Sequence, residues 1–329
     1  MYNKILITGG NGLLGTNVIK SLEARGIAVR ALLRRSNETL EHARNCKVIL
    51  GNVLQHDDMR RAAEGCDAII HICAITDQSL LRYEEYRRFN VGSLQVAIET
   101  AKACGIKRLI FVSTVNTIGN GNGSTPGDEQ TPLQGVYARQ LYARSKVEAE
   151  ALLLSTPEIE GTIVNPCFMI GAYDSKPSSG ELILLGYGKR VVFTAPGSKN
   201  IVDVHAAAEA ICNALEHGRR GERYLLGGEN VKLTDFYHMM SEIDGVKKCV
   251  IALPRWLMVG VGYVGDMLRC CGIRTQASSL NTRAICMTEH YSAAKAELEL
   301  RLPKTDVAQC TRTAIDWFLA NTSLLKRKA

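Results

Sequence analysis

The sequence lacks the cysteine spacing that marks metal and redox sites. Its 11 cysteines include no Cys-x-x-Cys pair. The run His71-Ile72-Cys73 would place two ligand atoms on one face of a strand, but no further ligands follow at a recognisable spacing. We therefore predict no metal site and reduced thiols, and we expect the adjacent Cys270 and Cys271 to be buried small side chains.

Long apolar runs and blocks of like charge are also absent. No run approaches the roughly 18 to 20 residues needed to cross a bilayer, so we predict no membrane span. A strand pattern begins directly after Met1-Tyr2-Asn3, which leaves no room for a signal peptide and predicts a cytoplasmic protein. The net charge of +7 is spread along the chain, apart from the tail Lys326-Arg327-Lys328, which we interpret as a solvated end. This charge suits anionic small molecules and argues against a nucleic-acid partner.

The first half of the chain alternates short β-branched runs with helical segments, the pattern of parallel βαβ units. The predicted strands are Lys4–Thr8, Ala28–Leu33, Lys47–Leu50, Ala68–His71, Arg108–Val112 and Gly161–Asn165. The predicted helices are Leu13–Arg25, Asp57–Glu64, Tyr83–Cys104 and Tyr137–Leu154. Right-handed crossovers then predict an α/β fold with one doubly wound parallel sheet, whose ligands bind at the carboxyl ends of the strands.

After about Pro166 the pattern loosens. We predict a short pair of strands at Val191–Phe193 and Arg223–Leu226, and helices at Val204–Glu216 and Thr234–Ile243. No linker or internal repeat separates this part from the first. We therefore expect a Rossmann domain at residues 1–170, completed by parts of residues 200–230, and a smaller mixed C-terminal lobe, mainly residues 171–329, that is interleaved with it and binds substrate.

A glycine motif follows the first predicted strand and opens the first predicted helix. In Thr8-Gly9-Gly10-Asn11-Gly12-Leu13-Leu14-Gly15, the first glycine permits a tight turn, the second lets the backbone approach a diphosphate, and the third lets helix and strand pack closely. A second match, Gly260-Val261-Gly262-Tyr263-Val264-Gly265, lies within the apolar stretch Trp256–Leu268 and has no strand before it. We interpret it as small residues on a packed helix.

The end of the second predicted strand reads Leu33-Arg34-Arg35-Ser36, and no carboxylate occurs before Glu38. An NAD site usually carries an acidic residue here for the ribose 2′-hydroxyl, whereas Arg34 or Arg35 suits a 2′-phosphate. NADP(H) is therefore favoured over NAD(H), the alternative being that both arginines point into solvent.

A phenol and an ammonium lie one helical turn apart, at Tyr142 and Lys146. A nearby Lys⁺ should lower the pKa of Tyr142, so that the phenol relays a proton while hydride moves. The hydroxyl of Thr114, at the end of the fifth strand, would face the same crevice. The alternative is a surface helix with an incidental Tyr and Lys.

With these motifs, the chain resembles the extended short-chain dehydrogenase/reductase family, in its branch of dihydroflavonol-4-reductase-like and 3β-hydroxysteroid dehydrogenase-like proteins. The resemblance also rests on Val29–Arg34, Gly51-Asn52-Val53, His71–Ala74, Asn90-Val91-Gly92 and Asn165–Gly171. It implies a catalytic triad of Thr114, Tyr142 and Lys146. It further implies that the dinucleotide is held by Gly9, Gly10, Asn11, Gly12, Leu13, Leu14, Gly15, Arg34, Asn52, Val53, Cys73, Ala74, Tyr142, Lys146, Pro166 and Met169. Asn52 departs from the family's usual Asp, although an amide oxygen can still bond the adenine amine. Asn90 is equally well explained by helix packing.

The resemblance implies a carbonyl or secondary alcohol as the small-molecule substrate. The alternatives are a nucleotide-sugar epimerase or dehydratase with recycled NAD, and a dinucleotide-binding sensor without turnover. Val115 and Asn116 stand where dehydratases of this family carry acidic residues, which argues against dehydration. The basic pairs Lys189-Arg190 and Arg219-Arg220 are candidates for a second diphosphate, but solvated surface explains them as well.

Apolar side chains of the C-terminal part would suit an apolar ligand, although such residues more often form core. They are Trp256-Leu257-Met258-Val259, Tyr263-Val264, Tyr173, Tyr187 and Phe193. The resemblance also implies a homodimer, formed by packing of the helices Tyr83–Cys104 and Tyr137–Leu154.

Overall fold

The computed structural model describes residues 2–35 and 45–325. Its strands β1 to β12 are, in order, Lys4–Thr8, Ala28–Leu33, Cys46–Leu50, Ala68–His71, Arg108–Val112, Glu160–Pro166, Phe168–Ile170, Val191–Thr194, Ser198–Asp203, Arg223–Leu226, Glu229–Lys232 and Cys249–Ala252. Its helices α1 to α12 are Leu13–Ala24, His56–Ala63, Tyr83–Tyr86, Gly92–Ala103, Leu141–Leu154, Glu181–Gly186, Val204–His217, Leu233–Asp244, Arg255–Cys270, Ser279–Ile285, Ala294–Glu299 and Val307–Asn321. A π-helical stretch, Arg87–Val91, joins α3 to α4.

Seven parallel strands form the main sheet, in the order β10-β6-β5-β4-β1-β2-β3. Strands such as β1 are buried on both faces because helices cover the sheet on both sides, which explains their continuous apolar sequences. The strand order reverses between β1 and β4, where a doubly wound sheet opens a crevice for ligands. The predicted Rossmann fold is therefore confirmed.

The C-terminal part contributes a mixed sheet, β11-β9-β7, and a parallel pair, β12-β8. Its own core includes the buried rings of Phe236, Tyr237 and Phe318. Both short strands predicted after Pro166 are present, at β8 and β10, but they do not pair with each other. Strand β8 pairs with β12, while β10 crosses over to pair with β6 and extends the main sheet. Short strands carry no sequence signal for their partners, so only packing decides the pairing.

Helix α9 contains the second glycine motif. A Cβ atom at Gly265 would lie 1.8 Å from the carbonyl oxygen of Ala277, and one at Gly262 would lie 2.8 Å from the Cα of Ser279. These two glycines let α9 and α10 pack closely, as the sequence predicted for small residues on a packed helix.

Two expectations for the same region are wrong. Cys270 and Cys271 are exposed rather than buried, because they lie at the C-terminal end of α9. Trp256, Tyr263 and Val264 are exposed as well, and so belong neither to a core nor to a pocket. No described helix is long and apolar enough to cross a membrane.

Candidate active site

The glycine turn after β1 leads into α1 and forms one end of a cleft. Gly9 has φ +77°, and a Cβ atom there would lie 2.9 Å from the backbone nitrogen of Cys73. A Cβ atom at Gly15 would lie 2.2 Å from the carbonyl oxygen of Gly9, whereas one at Gly12 would meet nothing closer than 3.7 Å. Gly9 and Gly15 therefore serve packing, and Gly12 leaves open space.

The start of α1 suits an anion. No side chain caps this helix, and its first turn contains no acidic residue. The N–H groups of a first helical turn lack partners within the helix, and the helix dipole adds partial positive charge. The cradle therefore fits the diphosphate of a dinucleotide.

This dinucleotide cleft has a volume of about 360 Å³ and follows the carboxyl ends of the central strands. Most residues predicted to bind the cofactor line it, namely Gly9, Asn11, Gly12, Leu13, Leu14, Gly15, Arg34, Val53, Cys73, Ala74, Tyr142, Lys146 and Met169. Gly10 instead faces the core, since a Cβ atom there would lie 2.8 Å from Cδ1 of Ile19. Pro166 lines the neighbouring cleft described below.

Asn52 does not line the dinucleotide cleft. Its side-chain oxygen accepts a hydrogen bond from the N–H of Leu54 at 3.1 Å, and its backbone N–H donates to Asp58 at 2.8 Å. The oxygen expected to bond the adenine amine is thus engaged in the turn that carries Val53 into the cleft. The structure gives Asn52 a local role in shaping that turn.

A loop that sequence reasoning missed closes one side of the dinucleotide cleft. The buried Asp174 accepts hydrogen bonds from the N–H groups of Ser178 and Gly180, at 3.0 and 2.9 Å, and so fixes the loop. The loop brings the exposed Lys176 to the cleft that Arg34 also lines. No motif marks this loop in the sequence, because its fold depends on one buried carboxylate.

His71 has a structural role rather than a ligand role. Its Nδ1 lies 3.0 Å from the hydroxyl of Thr8, and its Nε2 lies 3.1 Å from the hydroxyl of Ser93. Burial lowers its pKa to about 3, so the ring is neutral. In residues 2–35 and 45–325 no group of three or more His, Cys, Asp and Glu side chains could hold a metal ion.

Tyr142 and Lys146 lie one turn apart on α5, and both are buried. The Nζ atom of Lys146 donates to the carbonyl oxygen of Val112 at 2.7 Å and lies 4.2 Å from the ring centre of Phe111. The side chain of Asn90 donates to Ser145 at 2.9 Å and accepts from the N–H of Ile75 at 2.8 Å. Asn90 thus holds α5 to the loop after β4, which supports its explanation by packing.

The expected effect of Lys146 on Tyr142 is wrong in this structure. Burial raises the pKa of Tyr142 to about 12, and the Thr114 side chain, as a hydrogen-bond donor, only partly opposes this rise. Burial also lowers the pKa of Lys146 to about 7, so its ammonium is not fully charged near neutral pH. Desolvation therefore dominates the pKa of both groups, Lys146 does not lower the pKa of Tyr142, and Tyr142 is a protonated phenol.

A buried carboxylate, Glu150, organises the residues behind Thr114. It accepts hydrogen bonds from Ser113, from Thr117 and, at 2.8 Å, from Asn165, and its other oxygen lies 3.2 Å from Nε of Arg223. Its negative charge also raises the pKa of Lys146 against the effect of burial. The signal for Glu150 was present, since it lies four residues after Lys146 and so shares its helix face.

A second cleft, of about 590 Å³, adjoins Thr114 and contains Pro166. We call it the substrate cleft. Its polar lining is Gln78, Thr114, Asn116, Tyr137, Gln140, Lys199, Gln276, Asn281, Thr282 and Glu289, and its apolar lining includes Val115, Phe168, Met258 and Ile285. Of the apolar C-terminal residues proposed for a pocket, Met258 lines this cleft.

Two polar features mark the substrate cleft. Glu289 is buried, accepts a hydrogen bond from Tyr137 and forms an ion pair with Lys199, so this carboxylate and this ammonium neutralise each other. The buried Gln140 donates to Asn281 at 3.2 Å, but its side-chain oxygen accepts no hydrogen bond from a described residue. Such an oxygen is available to a donor on a ligand.

These features define a class of protein. The protein is an NAD(P)-dependent oxidoreductase of the extended short-chain dehydrogenase/reductase type. This class combines a doubly wound parallel sheet, a glycine turn at the first strand and a Tyr-x-x-x-Lys helix beside the resulting cleft. The chain belongs to the NAD dependent epimerase/dehydratase family, whose model matches residues 5–227.

Similar proteins cover 80% or more of this chain. A Synechocystis protein named "Putative dihydroflavonol 4-reductase" is 28% identical over 97% of this chain and 95% of its own length. A 4-hydroxy-2-methyl-3-oxo-4-farnesyl-3,4-dihydroquinoline-1-oxide ketoreductase from Stigmatella aurantiaca is 30% identical over 80% of both chains. The crystal structure of gox2253 has a TM-score of 0.82, at 27% identity, and covers 97% of this chain and 98% of that one.

Proposed function

We propose that the protein is a carbonyl reductase or secondary-alcohol dehydrogenase that uses NADP(H). The observation that carries this proposal is the position of two hydroxyl groups. Tyr142 lines the dinucleotide cleft and Thr114 lines the substrate cleft, and the two side chains face each other where the clefts meet. A substrate oxygen held at this point would contact both hydroxyls.

The residues of the chain supply proton transfer and orientation. A bound nicotinamide would supply a hydride to the substrate carbon or accept one from it. Burial keeps Tyr142 protonated, which suits donation of a proton to the oxygen of a carbonyl and so favours reduction. Thr114 donates a second hydrogen bond to that oxygen, and Lys146 orients the nicotinamide ribose.

The proposed preference for NADP(H) rests on two cations. Arg34 and Lys176 both line the dinucleotide cleft, and the two described residues that directly follow β2, Arg34 and Arg35, are both basic. Glu38, the first acidic residue beyond β2, lies outside the described residues. A guanidinium at the end of β2 can form paired hydrogen bonds with a ribose 2′-phosphate, which a ribose hydroxyl cannot match.

The lining of the substrate cleft supports an apolar substrate that carries a hydroxyl or amide donor. Phe168, Met258 and Ile285 provide apolar contacts, and the free oxygen of Gln140 provides an acceptor. The only described cation in the lining, Lys199, is neutralised by Glu289. A second diphosphate therefore has no available partner among the described lining residues, which argues against a nucleotide sugar.

The basic pairs considered for a nucleotide sugar lie outside the cleft lining. Arg219 forms an ion pair with Glu299, and Arg220 donates to the carbonyl oxygen of Pro157 at 2.6 Å. Lys189 and Arg190 precede β8 and do not contribute to the cleft either. The contacts of Arg219 and Arg220, and the position of Lys189 and Arg190 outside the cleft lining, support surface roles for both pairs.

The test is a fluorescence titration with NADPH and NADH, combined with consumption of either cofactor in the presence of apolar ketones and aldehydes. We expect Tyr142→Phe to abolish turnover and to leave NADPH affinity within a few-fold of wild type. Thr114→Val should reduce turnover less, because Tyr142 still donates the proton. Full activity in Tyr142→Phe would refute the mechanism, and tight binding without turnover of any carbonyl would favour an epimerase or a sensor.

We also propose a homodimer in which α4 and α5 pack against the same helices of a second copy. Support comes from Val147 and Leu154, which are exposed apolar residues on α5. Light scattering after size exclusion tests this, with Val147→Glu expected to give a monomer. The division of the chain near residue 170 stays a prediction.

A further inference from the structure

Helix α9 exposes its apolar residues to solvent and turns polar residues towards the protein, which is the reverse of a usual surface helix. Its inner side has the glycines that pack on α10, together with two charged residues. Asp266 accepts a hydrogen bond from the N–H of Ser279 at 3.2 Å, and Arg269 donates to the carbonyl oxygens of Gln78 and Leu80, at 3.1 and 2.7 Å. Two of the three charged residues of α9 are thus turned towards the protein, and the third, Arg255, lies exposed at the start of the helix.

The outer side of α9 is apolar along its whole length. Its exposed side chains are Trp256, Leu257, Val261, Tyr263, Val264, Met267 and Leu268. Trp256 is 75% exposed and Met267 is 71% exposed, although large apolar side chains usually gain free energy from burial. At 3.6 residues per turn these positions cover about half of the helix circumference, and none of them is charged.

The two-stranded sheet that leads into α9 also exposes apolar side chains. Val191 pairs with Cys249, and Phe193 pairs with Ile251, and all four side chains are exposed. Their alternation with less exposed residues places them on one face of the sheet. We call these four residues and the outer side of α9 the apolar face.

The exposed charges in the chain segments that form the apolar face are all positive. Residues 182–202 and 245–265, which contain both strands and most of α9, include no acidic residue. Arg190, Lys247 and Arg255 are exposed, and among the described residues none of them forms an ion pair. A second copy of the chain would bring like charges together here, whereas an anionic surface would be attracted.

We propose that the apolar face docks on the surface of a lipid bilayer that contains anionic lipids, with α9 lying in the plane of the interface. A helix of 16 residues is about 24 Å long, which suits a position parallel to the surface. Tryptophan, aliphatic side chains and flanking cations are the composition of interfacial helices. Because Met258 on α9 also lines the substrate cleft, docking places that cleft beside the lipid.

Sedimentation with vesicles tests the proposal. Purified protein is mixed with vesicles of phosphatidylcholine alone, or of equal parts phosphatidylcholine and phosphatidylglycerol. We expect wild type to sediment with the phosphatidylglycerol vesicles and to be released as salt concentration rises, because the lysine and arginine contribution is screened. Wild type that stays in the supernatant with both kinds of vesicle would overturn the proposal.

A matched pair of variants distinguishes lipid from a second copy. Met267→Asp should weaken binding by about tenfold or more, because burial is lost and the added charge is repelled. Met267→Lys should weaken it much less, since a lysine can extend its ammonium to the lipid headgroups. Leu298→Asp is the control, because Leu298 is 82% exposed but lies on α11, and it should bind as wild type does.

NADPH affinity and thermal unfolding are measured for every variant and should match wild type, since Met267 contacts neither cleft. Sedimentation velocity is measured in parallel. The lipid proposal would be overturned, in favour of contact between copies, if both Met267 variants converted a dimer to a monomer. It would also be overturned if both variants lost vesicle binding equally.

Discussion

Replacing Lys146 by methionine should abolish catalysis and stabilise the folded protein at neutral pH. Lys146 is 1% exposed, and burial lowers its pKa from 10.5 to about 7. At about 1.4 kcal/mol per pH unit, this difference corresponds to a cost of about 5 kcal/mol for burying the charged amine. Methionine is unbranched and apolar, and its length lets it occupy a similar volume on α5.

Part of this gain is offset because the carbonyl oxygen of Val112 loses its donor, the Nζ atom of Lys146. An unpaired buried acceptor costs about 1 to 3 kcal/mol. We therefore expect Lys146→Met to increase the free energy of unfolding by about 2 to 4 kcal/mol at pH 7.

The pH dependence follows from the two pKa values of Lys146. Below about pH 7 both the folded and the unfolded protein bind the proton, and the folded protein bears the full cost of the buried charge. Between about 7 and 10.5 the unfolded chain alone binds it, so the cost falls as the pH rises. The advantage of Lys146→Met should therefore shrink by about 1.4 kcal/mol per pH unit above pH 7 and disappear at about pH 9. At higher pH the variant should be the less stable protein, because only the lost hydrogen bond to the carbonyl oxygen of Val112 remains.

Urea unfolding at a series of pH values, without added dinucleotide, measures this effect. Lys102→Met is the control, because Lys102 is an exposed residue of α4 whose ion pair with Glu158 contributes little to stability. It should change the free energy of unfolding slightly and equally at each pH. A Lys146→Met protein that is less stable than wild type at pH 7, or whose advantage is the same at every pH, would refute the reasoning.

Three further predictions concern the dinucleotide cleft and its support. Gly15→Ala should lower stability by about 1 to 3 kcal/mol, because the added Cβ atom would lie 2.2 Å from a carbonyl oxygen. Gly12→Ala should instead fold normally and bind NADPH more weakly. Thermal unfolding and NADPH titration separate these two effects. Glu150→Gln removes a charge that raises the pKa of Lys146, so any limb of the pH–rate profile that reports Lys146 should move to lower pH, and an unchanged profile would contradict this. Arg34→Asp should weaken NADPH binding about tenfold or more and leave NADH binding little changed, and equal losses for both cofactors would show that Arg34 does not contact a 2′-phosphate.

Local patterns in the sequence were sufficient for the cofactor half of the molecule. Continuous apolar strands, helical periodicity and a glycine turn each depend on neighbouring residues, so they can be recognised in a single chain. The spacing of Tyr142 and Lys146 likewise fixes a shared helix face. These features predicted the main sheet, with six of its seven strands in the first 170 residues. Together with the family resemblance, they named thirteen of the residues that line the dinucleotide cleft.

The tertiary structure decided what depends on distant contacts and on burial. The partner of β8, the hydrogen bonds of Glu150 and the pairing of Lys199 with Glu289 join residues far apart in the chain. The pKa values of Tyr142 and Lys146 follow from desolvation, which a sequence does not display. Desolvation raises the pKa of Tyr142, whereas the sequence predicted that it would be lowered. The apolar residues of α9 look like core in the sequence, and only the fold shows that its glycines take the inner side and leave those residues outside.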